Sequence, residues 1–342
     1  MHTQVLVTLI NSPSFVAKHL SNSVDNKFSS STCILLNRSQ VHVFPDKSWK
    51  HEVLWSMINF FNDRVACTLY YGVEDLNIPF TRDDHQHVLI HGYCNGIVCV
   101  ISGKNILLCN PVTREFRQLP DSFVLLPSPL GGKFDLENDF GGLGFGYDCR
   151  AKDYKVVPII ENCEYSDDER TYYHRIPLPH TTEVYTMATN SWNEIKIDIS
   201  SKTYPCSCSV YLNGFCYWFT RLSFDLGDER FHRIQLPSRR ESGFEFYYIF
   251  LCNESIASFC SLYDRSEDSK SCEIWVMDDY DGVKSSWTKL LVARPFKGIE
   301  KPLTLWKCDE LLMIDTDGRV ISYNSSIDSQ ALIYVESIVP IK

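Results

Sequence analysis

One short pattern recurs along this 342-residue chain and restricts its fold more than any other feature: an apolar run, a polar turn of the N/D-x-x-T kind, an aromatic residue and a second apolar run. Clear copies occupy residues 106–120, 183–195 and 222–237, a fourth at 273–291 has a longer turn, and a degenerate fifth at 319–335 lacks the aromatic residue. Two short apolar runs around a polar turn predict a β-hairpin. The aromatic positions of the four clear copies are Phe116, Trp192, Phe231 and Trp287.

A second element, a short strand often entered through Asn-Gly or Asp-Glu, precedes the copies. It lies at residues 94–102, 154–160, 212–219, 253–260 and 308–314. Two such strands and the hairpin make a four-stranded unit, and the aromatic residues lie 76, 39 and 56 positions apart, which corresponds to about 40 residues per unit with insertions. This period is typical of a β-propeller. We therefore predict an all-β propeller of five to seven blades, with six preferred.

Each aromatic residue of the repeat is expected to lie in the core, as one large ring between adjacent sheets. Residues 33–61 are the candidate for a further, poorly marked unit.

The N-terminal region differs from the rest of the chain. Residues 9–20 favour one short helix, because Ser12 is a good N-cap and Pro13 suits the first helical position. Residues 21–32 are rich in Ser and Asn and favour a linker. The predicted domains are therefore 1–20, the linker 21–32 and the propeller 33–342.

Charge and cysteine usage restrict the environment and the partners. The net charge of −10 argues against general binding to nucleic acid, which needs clustered Lys and Arg. Of the fourteen cysteines, several lie inside apolar runs, as Cys99 and Cys109 do, where a free thiol acts as a small hydrophobic side chain. The sequence has no signal-peptide core and no run of 18 apolar residues. We expect free thiols, a cytoplasmic location and no contact with a membrane.

Catalytic and cofactor motifs give no positive signal. The glycine-rich segment 141–146 lies within strand-like sequence and predicts a flexible strand, not a phosphate-binding loop. One cluster resembles a metal site, but a solvated loop before a strand is the favoured interpretation; its members are Asp83, Asp84, His85, His87 and His91. We expect no enzyme activity, no catalytic residue, no metal and no cofactor.

Two acidic segments are the candidates for contact with a partner. Each could be a loop that meets a basic protein, with a tyrosine as aromatic anchor, or a solvated turn that keeps the surface soluble. The candidate residues are Glu161, Glu164, Tyr165, Asp167, Asp168, Glu169, Asp278, Asp279, Tyr280 and Asp281.

Read as whole phrases, the repeats resemble the F-box-associated domain of plant F-box proteins, and most closely that of the S-locus F-box brother proteins of gametophytic self-incompatibility. The resemblance covers residues 9–342. The phrases that carry it are GYCNGIVCV (92–100), NPVTREFRQLP (110–120), GLGFGYDCRAKDYKVVPII (142–160), EVYTMATNSWNEIKI (183–197) and IWVMDDYDGVKSSWTKLL (274–291).

This resemblance implies a kelch-like propeller that recognises the target of an SCF-type ubiquitin ligase. In the family, an F-box docks on the Skp adaptor and cullin, and the propeller captures a pistil S-RNase, a basic protein, in the pollen-tube cytosol. A net charge of −10 suits a basic target. The segment that resembles the end of an F-box contributes Leu9, Ile10, Pro13 and Phe15 as the adaptor-binding remnant.

The sequence departs from the family pattern in two places. The phrases that begin an F-box are not matched before Leu9, so binding to the adaptor and cullin is expected only where a complete F-box is present. The alternative is an adaptor-independent scaffold or a non-functional truncated allele. Thr220 and Arg221 form a two-residue connection between strand-like runs, although such hairpins favour Asn-Gly, Asp-Gly or another glycine.

Overall fold

The protein is described by a computed structural model. It describes residues 31–43, 49–63, 68–76, 88–122, 135–166, 174–196, 209–218, 221–235, 237, 244–252, 254–264, 269–280, 285–293, 299–306, 310–315, 319–320, 323–324 and 330–334. The regular elements of these residues are all β-strands, and they form six four-stranded antiparallel sheets. No helix able to cross a membrane occurs among them.

The strands are numbered in chain order. Sheet I contains β1 (Ser31–Val43), β2 (Trp49–Asp63), β3 (Thr68–Leu76) and β24 (Gln330–Tyr334). Sheet II contains β4 (Val88–Cys94), β5 (Ile97–Ser102), β6 (Asn105–Asn110) and β7 (Glu115–Gln118). Sheet III contains β8 (Asp135–Asp148), β9 (Asp153–Ser166), β10 (His174–Thr186) and β11 (Ser191–Ile195).

The other three sheets follow the same plan. Sheet IV contains β12 (Ser209–Leu212), β13 (Phe215–Trp218), β14 (Leu222–Asp225) and β15 (Arg230–Arg233). Sheet V contains β16 (Phe244–Cys252), β17 (Ser255–Asp264), β18 (Ser269–Tyr280) and β19 (Ser285–Ala293). Sheet VI contains β20 (Ile299–Trp306), β21 (Glu310–Asp315), β22 (Arg319–Val320) and β23 (Tyr323–Asn324).

The strands at the inner edges of the sheets lie side by side in a ring. β4 lies beside β8, β8 beside β12, β12 beside β16 and β16 beside β20. The ring closes through β24, which contacts β20 and β4 and pairs with β1, for example Leu332 with Leu35. Closure protects the inner edges, the usual solution to exposed strand edges in propellers. The predicted all-β propeller is confirmed.

This closure corrects the interpretation of residues 319–335 as one degenerate repeat. β22 and β23 belong to sheet VI, whereas β24 crosses to sheet I and pairs with the N-terminal strand. Pairing between strands so far apart in sequence leaves no local pattern, which is why the run looked like a weak repeat. The predicted helix at 9–20 and most of the linker lie outside the described residues; β1 begins at Ser31.

Two tryptophans of the repeat join neighbouring sheets. Trp192, near the start of β11, is 7% exposed, and its Nε1 donates to the carbonyl oxygen of Pro120, just beyond β7, at 2.8 Å. Trp287, near the start of β19, donates likewise to the carbonyl oxygen of Gln235, just beyond β15, at 2.6 Å. Each indole therefore reaches the chain that leaves the preceding sheet. Both rings pack between sheets as predicted, but only Trp192 is a buried core residue, whereas Trp287 is half-buried.

Glycines in β8 allow sheets III and IV to approach closely. A Cβ atom at Gly144 would lie 2.7 Å from Cζ2 of Trp218, and one at Gly146 would lie 2.1 Å from Cδ2 of Tyr211. Both separations are too short for any side chain, so the aromatic rings of sheet IV occupy the space that glycine leaves open. The glycine-rich segment is a strand, as predicted, and it serves packing between sheets.

The connection between β13 and β14 corrects the expected two-residue hairpin. Trp218 pairs with Leu222, so β13 ends one residue earlier than the apolar run and the connection has three residues. Its last residue, Arg221, has φ of 66°. Three-residue hairpin loops place a residue in the left-handed region at this point, so the turn forms without Asn or Gly, at a cost of about 1–2 kcal/mol.

Candidate functional site

The antiparallel sheets give the propeller two faces. One face, here called the turn face, is formed by the short connections between the first and second and between the third and fourth strands. In sheets II to IV these are residues 95–96, 111–114, 149–152, 187–190, 213–214 and 226–229. The second-to-third connections and the segments between sheets lie on the opposite face.

Side chains at the strand ends shape the turn face. Asn110, Asp148 and Asp225 each close a strand, and the Oδ1 atom of each accepts hydrogen bonds from the backbone N–H groups two and three residues further, at 2.8–3.2 Å. These are Asx-type turns, in which the side chain replaces a backbone acceptor. The polar turn predicted for 106–120 and 222–237 is confirmed, and the same arrangement fixes the β8–β9 turn.

A buried lysine joins the turn faces of sheets III and IV. The Nζ atom of Lys155, on β9, lies 2.9 Å from Oδ2 of Asp148, 2.8 Å from Oε1 of Glu229 and 2.7 Å from the carbonyl oxygen of Leu226. The side chains of Lys155 and Asp148 are 7% and 3% exposed, and that of Glu229 is 37% exposed. A buried ammonium group needs such partners, and three acceptors use all of its protons.

The bridge sets the charge state of its members. Burial favours neutral Lys155, but the hydrogen bonds to Glu229 and Asp148 outweigh burial and raise its pKa above the usual value. Burial likewise favours protonated Asp148, but the hydrogen bond from Lys155 and those from two backbone N–H groups hold its pKa below the usual value. Both groups are therefore charged near neutral pH. An outer pair, Arg150 with Asp228, spans the same two turns in solvent.

A cleft on the turn face separates sheets II and III. Its volume is about 420 Å³, and we call it the Arg117 cleft. The described residues that line it are Arg117, Asp153, Tyr154, Met187, Ala188 and Asn190. Asn190, in the β10–β11 turn, has φ of 49°, which Asn tolerates better than most residues. Asp153 fixes the position of this turn, because its Oδ2 atom accepts a hydrogen bond from the backbone N–H of Ala188 at 2.8 Å.

The predicted acidic segments end at opposite faces. Glu164 and Tyr165 lie near the end of β9, the second strand of its sheet, whereas Asp279 and Tyr280 end β18, the third strand. Because neighbouring strands are antiparallel, these ends point to the opposite face and the turn face respectively. The structure therefore does not bring the two segments together.

The described side chains of the two acidic segments differ in their exposure to solvent. That of Glu161 is 11% exposed, with its Oε1 atom 3.9 Å from Nε2 of His180. Asp278 is exposed, and its Oδ2 accepts from the hydroxyl of Thr288 at 2.9 Å. Several predicted residues lie outside the described residues or have side chains that do: Leu9, Ile10, Pro13, Phe15, Glu164, Tyr165, Asp167, Asp168, Glu169, Asp279, Tyr280 and Asp281.

The metal-ligand side-chain types of the described residues were predicted to form no metal site. No group of three His, Cys, Asp or Glu side chains that could hold a metal occurs among these residues. Of the cluster at 83–91, only His91 is described; it is buried on β4, and burial lowers its pKa to about 4. Burial raises the pKa of Cys109 to about 12 and that of Cys260 to about 11. Such groups are neutral core side chains near neutral pH.

The sequence reasoning missed both the lysine bridge and the Arg117 cleft. Lys155 stands within the otherwise apolar run Tyr154 to Ile160, and a lysine there is rarely buried without a partner, so a signal for the bridge existed. Its acidic partner Glu229 comes from another repeat, and nothing in the sequence pairs the two. Arg117 follows the repeat aromatic Phe116 and carried no distinguishing pattern.

The described arrangement is a propeller with a polar, hydrogen-bonded turn face. The family model of the F-box associated beta propeller domain matches residues 38–338. The match covers most of the chain, and the chain belongs to this family.

Curated relatives from Arabidopsis thaliana agree with the family match. The chain is 24% identical to the F-box protein CPR1 over 274 residues, which covers 72% of this chain and 63% of that protein. It is 27% identical to an F-box/kelch-repeat protein over 223 residues, 62% of this chain and 49% of the relative. The chain therefore spans about half to two thirds of the length of these relatives.

Among solved structures, that of YjhT aligns over 88% of this chain and 97% of its own, with 12% identity and a TM-score of 0.36. This alignment is too loose to support any argument about fold or function.

Proposed function

We propose that the chain is the target-recognition part of a substrate receptor in an SCF-type ubiquitin ligase. The observation that carries the proposal is the family match over residues 38–338, together with relatives that are named F-box proteins. In this proposal the propeller holds the target, and the segment with Leu9, Ile10, Pro13 and Phe15 belongs to the part that docks on the Skp adaptor and cullin.

We further propose that the target is a basic S-RNase in the pollen-tube cytosol, recognised in gametophytic self-incompatibility. The support is the resemblance of the repeat phrases and the net charge of −10. Opposite net charges accelerate encounter and disfavour partners of like charge. The acidic segments at 161–169 and 278–281 are the proposed contacts, and 161–169, which has five acidic residues against three, is proposed as the first contact.

The adaptor part of the proposal is tested by co-purification of two matched proteins. One is the chain itself, and the other carries a complete F-box fused in front of Leu9; each is expressed with the Skp adaptor and cullin. The fused protein should co-purify with both. The chain alone should not, because the single short helix predicted at 9–20 would offer far less than the about 1,200–2,000 Å² that stable interfaces bury. Failure of the folded fusion to bind the adaptor would contradict the proposal.

The target part is tested by the association rate with purified S-RNases. The variant Asp167→Asn/Asp168→Asn/Glu169→Gln should associate more slowly, and the difference should shrink as ionic strength rises. The matched control is Asp121→Asn/Glu194→Gln/Glu254→Gln, which removes three charges from exposed positions outside both acidic segments and should change the rate less. Equal rates for the triple variant and the parent at low salt would remove 161–169 from the interface.

A further inference from the structure

The chain enters the propeller at the turn face. β1 begins at Ser31, which pairs with Phe61, two residues before β2 ends at Asp63. β2 and β3 are the third and fourth strands of sheet I, so the connection between them belongs to the turn face, as its equivalents in the other sheets do. The residues before Ser31 therefore join the propeller on this side.

The length of β1 separates this entry point from the opposite face. β1 has 13 residues, and a strand rises about 3.3 Å per residue, so its two ends lie about 40 Å apart. Residues 16–30 connect Phe15 to Ser31, and fully extended they would span about 55 Å at most. A return to the opposite face would use most of that reach and would cost much of the conformational freedom of this segment. The turn face is therefore the nearer position for the adaptor-docking residues that end at Phe15.

The two faces also differ in the length of their connections. Those on the turn face join strands of one sheet and have at most four residues between the described strands. The segments that join one sheet to the next lie on the opposite face and are longer, for example 77–87, 119–134 and 196–208. Binding residues lie disproportionately on loops that a rigid scaffold positions. The connection lengths therefore favour the opposite face for contact with a protein.

The charged side chains of the two faces differ in the same sense. On the turn face, Arg150 pairs with Asp228, and buried Lys155 pairs with Asp148 and Glu229. At the opposite face, a group of exposed charged side chains, here called the opposite rim, forms no ion pair with another described residue. The members of the opposite rim are Lys104, Asp121, Lys196, Arg221 and Arg233. Charges that the chain does not pair internally are available to a partner.

We propose that the two faces serve different partners: the turn face lies toward the part that docks on the adaptor, and the opposite face receives the target. This inference rests on the proposed function. The target surface consists of the opposite rim and the end of β9. Partners on opposite faces do not compete for space, so the receptor can hold both at once.

This arrangement distinguishes the two acidic segments. β9 ends at Ser166 on the opposite face, whereas β18 ends at Tyr280 on the turn face. The inference therefore assigns contact with the target to 161–169 alone and places 278–281 on the adaptor side.

Energy transfer within the full chain tests the adaptor side without any partner. A donor dye on the α-amine of Met1 is combined with an acceptor dye on p-azidophenylalanine in place of Val112 or of Lys104. These exposed positions flank β6 at the turn face and the opposite face, about 20 Å apart. Transfer should be more efficient to position 112 than to position 104. A second exposed pair, Thr189 and Lys196 at the two ends of β11, should give the same order.

Steric blocking tests both sides with the same two positions. The chain with a complete F-box in front of Leu9 carries a bulky polyethylene glycol on the azide at position 104 or 112. The polymer at position 104 should weaken binding of an S-RNase about tenfold or more and leave binding of the Skp adaptor within about twofold. The polymer at position 112 should weaken adaptor binding more than S-RNase binding.

Two results would overturn the proposal: equal or greater energy transfer to the opposite-face position of each pair, or loss of S-RNase binding with the polymer at 112 but not at 104. A fused chain that binds no adaptor would refute the proposed function alone, because the transfer measurement involves neither partner and still decides the side of the N-terminal segment. A fused chain that binds the adaptor but no S-RNase of a panel would refute the target half together with the proposed target.

Discussion

Replacement of Trp192 tests the packing between sheets II and III most severely. The ring is 7% exposed, lies 5.1 Å from the ring of Tyr185 and donates to Pro120 across the sheet boundary. Trp192→Ala removes the buried ring and leaves a cavity, which costs about 3–5 kcal/mol for a residue of this size. Domains are stable by only about 5–15 kcal/mol, so a large part of the stability is at risk.

A second variant separates the free-energy cost of losing the hydrogen bond from that of losing the buried ring. Trp192→Phe keeps much of the ring and loses the hydrogen bond; because Pro120 is exposed and water can replace the indole, that loss should cost about 0.5–1.5 kcal/mol. Trp275→Ala is the matched control, since this half-buried ring bonds to Glu273 of its own strand at 3.0 Å.

The assay is urea unfolding followed by far-UV circular dichroism, supported by melting curves. The expected order of destabilisation is Trp192→Ala, then Trp275→Ala, then Trp192→Phe. A Trp192→Ala protein that unfolds at the urea concentration of the parent, or one no less stable than Trp275→Ala, would refute the packing of this ring between two sheets.

Three further outcomes follow from the described contacts. Lys155→Met should cost about 3–5 kcal/mol by leaving buried Asp148 without its ion-pair partner, whereas Arg150→Met, at an exposed ion pair, should cost far less. The lowered pKa of Asp148 means that its stabilisation is present above its unfolded pKa of about 3.9 and is lost as pH falls through the folded value. In Lys155→Met, burial favours protonated Asp148, so the penalty measured by urea unfolding should be largest near neutral pH and should shrink as pH falls. Gly146→Ala should lower the melting temperature, because its Cβ would collide with the adjoining ring. Iodoacetamide, followed by peptide mass spectrometry, should modify exposed Cys149 and leave buried Cys109 intact until the protein unfolds.

The repeat pattern predicted the propeller because its units are local. Each hairpin places a polar cap such as Asn110 and an aromatic residue at fixed offsets, and the chain passes from one antiparallel strand to the next, so sequence order reproduces sheet order. The prediction of the repeats failed where two strands that pair in the sheet lie far apart in the sequence. β24 returns to β1 across almost the whole chain, and no local signal marks that pairing.

The site was harder to predict than the fold for the same reason. The partners of Lys155 include Glu229 from the next sheet, and the Arg117 cleft forms only where β7 meets the β10–β11 turn. The acidic runs were visible as composition, but composition does not show which face a strand end reaches. Because neighbouring strands are antiparallel, the end of β9 at Ser166 and the end of β18 at Tyr280 point to opposite faces.

The most direct test of the central claim is reconstituted ubiquitination of an S-RNase. The chain with a complete F-box in front of Leu9 is combined with the Skp adaptor, cullin and the ubiquitin-activating and conjugating enzymes, and modified S-RNase is measured by mass spectrometry. We expect ubiquitin on a recognised S-RNase only when the propeller is present, and a loss of modification when the propeller carries Asp167→Asn/Asp168→Asn/Glu169→Gln at low salt. Assembly with the adaptor but no modification of any S-RNase in a panel would contradict the account.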